Sequence, residues 1–219
     1  MMNKILDTAH LSRRAILSSI PALAAMSLAP SLARAALSPA DNADLQRVQN
    51  YLNGIRTLQS RFEQISGEGG IATGTIYISR PGKMRVEYDP PVQILLVATD
   101  GRIWYYDRKL DQVSWYDLKD TPAWFLLQDN VNFGGDITVN ALQRDPGVLR
   151  VTVAESKKPD LGKATLVLSD HPLELRKWQI LDAQQKTVTV TLDDPHYGAA
   201  LNANLFYWTD PRPPNGQPG

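Results

Sequence analysis

Side chains that commonly carry reaction chemistry are sparse in this sequence. Beyond residue 35 it holds two histidines, His171 and His196, each beside a proline in turn-like sequence. A zinc site asks for three or four clustered N, S or O ligands. With no cysteine in the chain, the candidates reduce to Asp193, Asp194 and His196. Asp193-Asp194-Pro195-His196 reads more simply as a strand end entering a turn. There is no G-x-S-x-G elbow, no H-E-x-x-H pair and no phosphate-binding glycine loop. Gly67, Gly69 and Gly70 precede a strand-like run and not a helix, so they fit a hairpin loop better than a phosphate cradle. A Ser-His-Asp triad built from distant residues leaves no local signature, and nothing points to one. The expectation is therefore no catalytic residue, no metal and no cofactor.

What the chain has instead is large apolar surface. It carries five Trp, all after residue 35, and eight Tyr. In Ile103-Trp104-Tyr105-Tyr106 the alternation of a strand puts Ile103 and Tyr105 on one face and Trp104 and Tyr106 on the other. A sheet with aromatic residues on both faces wants cover on both, or helices over one face with a ligand between. Trp124-Phe125-Leu126-Leu127 is a nearly all-apolar short segment that must be buried or must cover something greasy. These features point to a β protein able to hold a lipid.

The elements that would position these residues are legible. Ser38-Pro39-Ala40-Asp41 is a helix start, with Ser as cap, Pro in the first turn and an acid facing the dipole. Leu45, Val48, Leu52 and Ile55 then recur at helical spacing, and Gly54 weakens the end. From Leu58 to about Asp117 the chain reads as strand after strand. Gly67 to Gly70, Pro81-Gly82, Pro90-Pro91, Asp100-Gly101 and Arg108 to Asp111 separate them as hairpin turns. Thr121-Pro122 repeats the cap-plus-proline signal and opens a short helix over Ala123 to Leu127. Strand pattern resumes at Ile137 to Leu142, Val148 to Ala154, Lys163 to Ser169, Leu173 to Asp182, Thr187 to Asp193 and Leu205 to Trp208. The sum is eleven or twelve strands in an antiparallel meander with two or three helices.

Residues 1–35 read as a cleaved export signal and stand apart from the fold. Lys4, Arg13 and Arg14 form the basic region, Ala15 to Ala29 the apolar region broken by Pro21, and Ala33-Arg34-Ala35 the cleavage site. The apolar part falls short of the roughly 20 residues a stable span needs. Ser12-Arg13-Arg14-Ala15-Ile16-Leu17 resembles a twin-arginine signal, and an ordinary Sec signal also tolerates two arginines, so both routes stay open. Residues 36–209 are long enough for one domain with a substantial core. Residues 210–219, with Pro211, Pro213, Pro214 and Pro218, are expected to form a disordered tail, because so many prolines cannot join a central sheet. The chain has 23 basic and 23 acidic residues. Removing Lys4, Arg13, Arg14, Arg34 and Asp7 leaves 19 and 22, a balance that argues against nucleic acid. An exported chain without cysteine has no disulfide framework and cannot be lipidated on cysteine.

Read in order, several segments resemble one known family. They are Phe62-Glu63-Gln64, Gly74 to Arg85 with its Arg80-Pro81-Gly82 turn, Tyr88-Asp89-Pro90-Pro91, Asp100 to Asp107, Leu110-Asp111-Gln112-Val113, Thr121-Pro122 with the apolar run to Leu127, and Asn204-Leu205-Phe206 followed by Pro211. Together they resemble the LolA family, periplasmic carriers of outer-membrane lipoproteins. The resemblance implies a mainly β (α+β) fold: an incomplete antiparallel β-barrel of about eleven strands with short helices covering a hydrophobic cavity. It implies a periplasmic chaperone, not an enzyme, that takes a triacylated lipoprotein from an inner-membrane ABC transporter, shields its acyl chains and passes them to an outer-membrane receptor where one exists. Each exposed acyl CH₂ costs about 0.8 kcal/mol, so the chains need such cover.

By the same resemblance, Arg80 with Pro81 is the lid latch, its five donors bonding backbone carbonyls near a lid helix. Phe62, Tyr88, Trp104, Tyr106, Trp115, Trp124, Phe125, Leu126, Leu127 and Phe206 are expected to contact the cavity or the lid. Acylated lipoproteins are the expected cargo and the protein is expected to be a monomer. The outer-membrane receptor shares this fold but is itself a lipoprotein, which a chain lacking cysteine cannot be. Two rivals remain: a carrier or sensor of another lipid, such as a glycolipid or lipopolysaccharide, and an envelope esterase.

Overall fold

The computed structural model describes residues 37–121 and 124–212. The leader therefore lies outside the described residues, as does the tail from Pro213. One helix, α1 (Pro39–Gly54), precedes eleven strands. These are β1 (Thr57–Ser66), β2 (Ile71–Ser79), β3 (Lys83–Tyr88), β4 (Ile94–Thr99), β5 (Arg102–Asp107), β6 (Gln112–Asp117), β7 (Ile137–Asp145), β8 (Val148–Glu155), β9 (Gly162–Ser169), β10 (Glu174–Asp182) and β11 (Thr187–Tyr197). Short 3₁₀ turns occupy Leu118–Asp120, Trp124–Leu127, Pro159–Leu161 and Ala203–Phe206.

The start of α1 forms as its sequence dictates. Ser38 Oγ accepts from the Asp41 N–H at 3.1 Å, and the Ser38 N–H donates to the Asp41 carboxylate at 2.8 Å, a reciprocal capping box followed by Pro39. Its apolar stripe, Leu45, Val48 and Leu52, is buried. Each such side chain contributes roughly 1.5–3 kcal/mol on leaving water.

The eleven strands form a single antiparallel sheet in the order β6-β5-β4-β3-β2-β1-β11-β10-β9-β8-β7. The meander is interrupted once, where β1 pairs with β11 and joins the two halves. The sheet stays open: β6 and β7 are its edges, and residues 118–136 cross between them. At the Asp100-Gly101 turn both residues have positive φ, 50° and 76°, as a type I′ hairpin turn requires. A bulge in β1 opposite β11 at Gln59/Arg61 buries Ser60, whose hydroxyl bonds the Arg61 and Asp193 carbonyls at 2.6 and 2.9 Å.

Register assigns the faces. Leu58, Ile78, Met84, Ala98 and Ile103 are successive cross-strand partners, as are Ser60, Ile76, Val86, Leu96 and Tyr105. This is the core face, on which the α1 stripe joins one buried cluster. The opposite face carries Tyr77, Arg85, Val97, Trp104 and Trp115 in register.

The chain after β11 covers part of that second face. The Gly198 N–H donates to Thr57 O, Arg85 Nη1 donates to Leu205 O at 3.3 Å, and Trp208 stacks on Trp104 at 5.2 Å with a 6° tilt between rings. Leu95 and Val97 on this face are buried. The strand expected at Leu205 to Trp208 is instead the 3₁₀ turn Ala203–Phe206 and an extended strap. Asn202 caps the turn by accepting from the Asn204 N–H at 2.9 Å, and an adjacent sheet edge is not within reach of a segment lying across β3 and β4.

Candidate functional site

Between the core face and the segment that links β6 to β7 lies an apolar cavity of about 170 Å³. Its walls come from β1–β4 (Phe62, Gln64, Ile76, Ile78, Met84, Val86, Tyr88, Leu96) and from β10–β11 (Trp178, Ile180, Val188, Val190), with Leu126 and Leu127 as its cover. Phe62 sits over Gly74, its partner in register, and meets Tyr88 edge-on at 5.3 Å. A Cβ on Gly74 would lie 2.2 Å from Glu87 O and 2.8 Å from the Phe62 ring, so only glycine leaves room for that ring. Tyr88 Oη donates to Gln64 Oε1 at 2.8 Å, and burial pushes the phenol up to about 12.

The cover is held by a set of hydrogen bonds centred on Arg80. Its Nε donates to Gln128 O at 2.6 Å, Nη1 to Leu52 O and, at 3.1 Å, to Ile55 O, and Nη2 to Asp129 O at 3.4 Å. One guanidinium thus joins the end of α1 to the chain just after the 3₁₀ turn Trp124–Leu127. The last turn of α1 has no basic residue of its own, so Arg80 supplies the cation its negative end favours. Burial first, then the charge of Arg56, lowers the Arg80 pKa. The Asp129 carboxylate bonds Arg56 at 2.7 Å, and the charge of Arg80 rests on carbonyl dipoles. The cover is thus tied to the end of α1 by the Arg80 bonds and by one exposed ion pair, Arg56–Asp129. Pro81 is itself exposed; the turn it forms lets the Gly82 N–H donate to Leu127 O at 2.7 Å.

Two helix side chains complete the closure. Asn53 pairs with the Val131 backbone through both amide atoms, at 3.0 and 2.7 Å, and Gln49 Oε1 accepts from the Phe133 N–H at 2.8 Å. Against these bonds, Gln128 Nε2 and Glu155 Oε2 are buried without a partner, each costing about 1–3 kcal/mol. The closed arrangement is held firmly at some points and opposed at others.

Of the expected contacts, the structure brings Phe62, Tyr88, Leu126 and Leu127 to the cavity and Arg80 to the cover. Trp124 and Phe125 share the 3₁₀ turn but line a separate cleft of about 10 Å³ against Ile137, Val153 and Leu161. Trp104, Tyr106 and Trp115 are corrected: register places them on the face away from the cavity, where Trp104 stacks on Trp208 and meets Trp115 at 6.5 Å with the rings tilted by 51°. Phe206 is buried on the strap, in the turn that packs on β3 and β4, and does not line the cavity. Gln49, Asn53, Gln64 and the β10–β11 wall were not anticipated. For the wall the signal was present, since Trp178 and Ile180, and Val188 and Val190, alternate as one face of a strand. His171 and His196 are exposed beside Asp170 and Asp194, and among the described residues no three His, Asp or Glu converge on a metal position.

The family model for the outer membrane lipoprotein carrier protein LolA matches residues 53–209. The chain belongs to the LolA family. Relatives include an outer-membrane lipoprotein carrier protein from Pseudomonas aeruginosa, 28% identical over 198 residues, which cover 86% of this chain and 92% of the relative. Another from Dechloromonas aromatica is 30% identical over 176 residues, covering 76% and 84%. An uncharacterized protein from Rickettsia prowazekii is 25% identical over 171 residues, covering 78% and 79%. Among solved structures, a putative outer membrane lipoprotein-sorting protein domain from Vibrio parahaemolyticus superposes with a TM-score of 0.46 at 12% identity, covering 74% of this chain and 94% of that one. The open eleven-stranded sheet with short helices is the fold expected of a LolA-family chain.

Proposed function

We propose that this chain is a periplasmic carrier that holds the acyl chains of lipoproteins released from the inner membrane and delivers them to the outer membrane. Its partners on this reading are acylated lipoproteins, the inner-membrane lipoprotein-releasing ABC transporter and, where the organism has one, an outer-membrane receptor. The carrier-named relatives and the reading of residues 1–35 as an export signal support it. The observation that carries it is an apolar cavity closed by a cover that hydrogen bonds to one half-buried arginine hold in place.

Volume gives that closure a meaning. A cavity near 150 Å³ takes a benzene-sized molecule, so about 170 Å³ holds a small part of one acyl chain. Cargo with three chains must lift Leu126 and Leu127 and break the Arg80 bonds. Burial of each CH₂ contributes about 0.8 kcal/mol, and a hydrogen bond to a charged group about 1.5–3 kcal/mol. The four bonds of Arg80 are together worth about 6–12 kcal/mol, which about eight to fifteen buried methylenes offset. Opening is then coupled to loading, with Arg80 as the latch.

The test is displacement of an environment-sensitive apolar dye from the processed chain. A triacylated lipopeptide should displace it at micromolar concentration and the same peptide without acyl groups should not. Displacement by neither would remove the carrier reading.

A further inference from the structure

Fourteen residues line the cavity, and apart from the Trp178 indole their polar side-chain atoms belong to Gln64 and Tyr88. The Tyr88 hydroxyl spends its proton on Gln64 Oε1. The Gln64 Nε2 amide, with two N–H donors, has no hydrogen-bond partner among the described residues. Gln64 shares the core face of β1 with Phe62 and is paired in register with Val190. Its position is remote from the cover. Leu127 bonds Gly82, just before Met84, whereas Tyr88 lies four residues further along β3, about 13 Å at strand spacing.

A wall of hydrocarbon would grade ligands by length alone. A donor set in that wall and fixed through its own oxygen by Tyr88 adds a chemical requirement, because a ligand that covers it without accepting a hydrogen bond leaves it stranded. Resting on the carrier reading, we infer that Gln64 is a specificity residue whose amide donates to the ester or amide carbonyl of a bound acyl group, with Tyr88 as its positioning residue. The acyl chain then runs from Gln64 toward Met84 and ends beneath Leu126 and Leu127. The polar end of the cargo lies at the Gln64 end, and the chain terminus is what presses on the cover.

Calorimetric titration of the processed chain with 1-lauroylglycerol and with its ether counterpart, 1-O-dodecylglycerol, separates the carbonyl from the chain. The wild type should bind the ester about five- to tenfold more tightly, the worth of one net hydrogen bond. Gln64→Leu and the near-isosteric Gln64→Met should lose that preference, the ratio of ester to ether affinity falling to about one, with an unchanged far-ultraviolet circular dichroism spectrum showing that the fold survives. Equal binding of ester and ether by the wild type, or a preference kept by both variants, overturns the assignment and leaves the carrier reading standing. Binding of neither probe by the wild type removes the carrier reading and this assignment with it.

Discussion

Replacing Arg80 by leucine tests the proposed role of this arginine as a latch on the segment that covers the cavity. The substitution deletes four bonds, but two of the acceptors keep another donor: Leu52 O retains the Ile55 N–H at 3.2 Å and Asp129 O retains Arg56 at 3.1 Å. The carbonyls of Ile55 and Gln128 are left bare. At about 1–3 kcal/mol for each stranded carbonyl the closed form loses about 2–6 kcal/mol. Relief of the burial that lowers the Arg80 pKa offsets part of it. A net loss of about 2–4 kcal/mol raises the open population roughly 30- to 1,000-fold. Native-state hydrogen exchange reads this directly at the amides of Gly82, Val131 and Phe133, whose acceptors are Leu127 O, Asn53 Oδ1 and Gln49 Oε1. Exchange there should accelerate by at least about 30-fold, while amides of β9, paired on both sides, stay protected. Protection at the three amides that stays at its wild-type level would show that Arg80 does not hold the lid. Equal loss across β9 would show that it stabilises the whole fold instead.

Three further outcomes follow from the same geometry. Asn53→Ala should cost about 1–3 kcal/mol by stranding the Val131 amide and should raise exchange at Val131 more than at Gly82. Gly74→Ala drives a methyl into Glu87 O and the Phe62 ring, so urea denaturation should show a loss of about 1–3 kcal/mol or more; a midpoint equal to that of the wild type would mean the Phe62 packing is not as described. The N-terminal half of α1 is tied to β7 through Arg144, which bonds Asp41 and Asp44 at 2.7 Å, and to the β9–β10 turn through Arg47 and Asp170 at 2.6 Å. The Arg144 bond to Asp41 and the Arg47 bond to Asp170 hold those carboxyls below their usual value of 3.8. A carboxyl depressed in the folded state stabilises above its unfolded pKa, and that contribution is lost as pH falls through the folded value. Thermal stability should therefore vary little on this account from pH 7 to about 5 and fall below about 4. The acid-side fall should be shallower in Arg144→Gln, and an unchanged slope would discount these pairs.

Much of the fold was legible because it rests on local chemistry. The Ser38 box, the Asp100-Gly101 turn and the short spacing between strands need no distant partner, and they specify a meander. The faces of β5 were not legible, since Ile103 and Tyr105 on one side and Trp104 and Tyr106 on the other are equally apolar. What decides between them is the strap at 198–208, about a hundred residues away, whose Trp208 covers Trp104. Both faces are indeed covered, but by protein on one and by the cavity and α1 on the other. Leu205 to Trp208 was misread for a related reason: an apolar run beside an Asn cap fits a 3₁₀ turn as well as a strand until its neighbours are known. Gln49 and Asn53 look like solvent-facing helix residues, and only the return of residues 131 and 133 to α1 gives them work. Arg80 before Pro81 was identifiable through the family resemblance, whereas by itself an arginine at a turn says nothing about which carbonyls it will meet.

Acyl-chain carriage is tested most directly by native mass spectrometry, with lipid extraction, of the chain purified from its own organism. A stoichiometric complex with a triacylated lipoprotein is expected, diminished when cavity residues such as Ile76 or Val86 are replaced by larger polar ones. A single free lipid species in its place, or a chain that is always empty while its lipoproteins still reach the outer membrane, would contradict it.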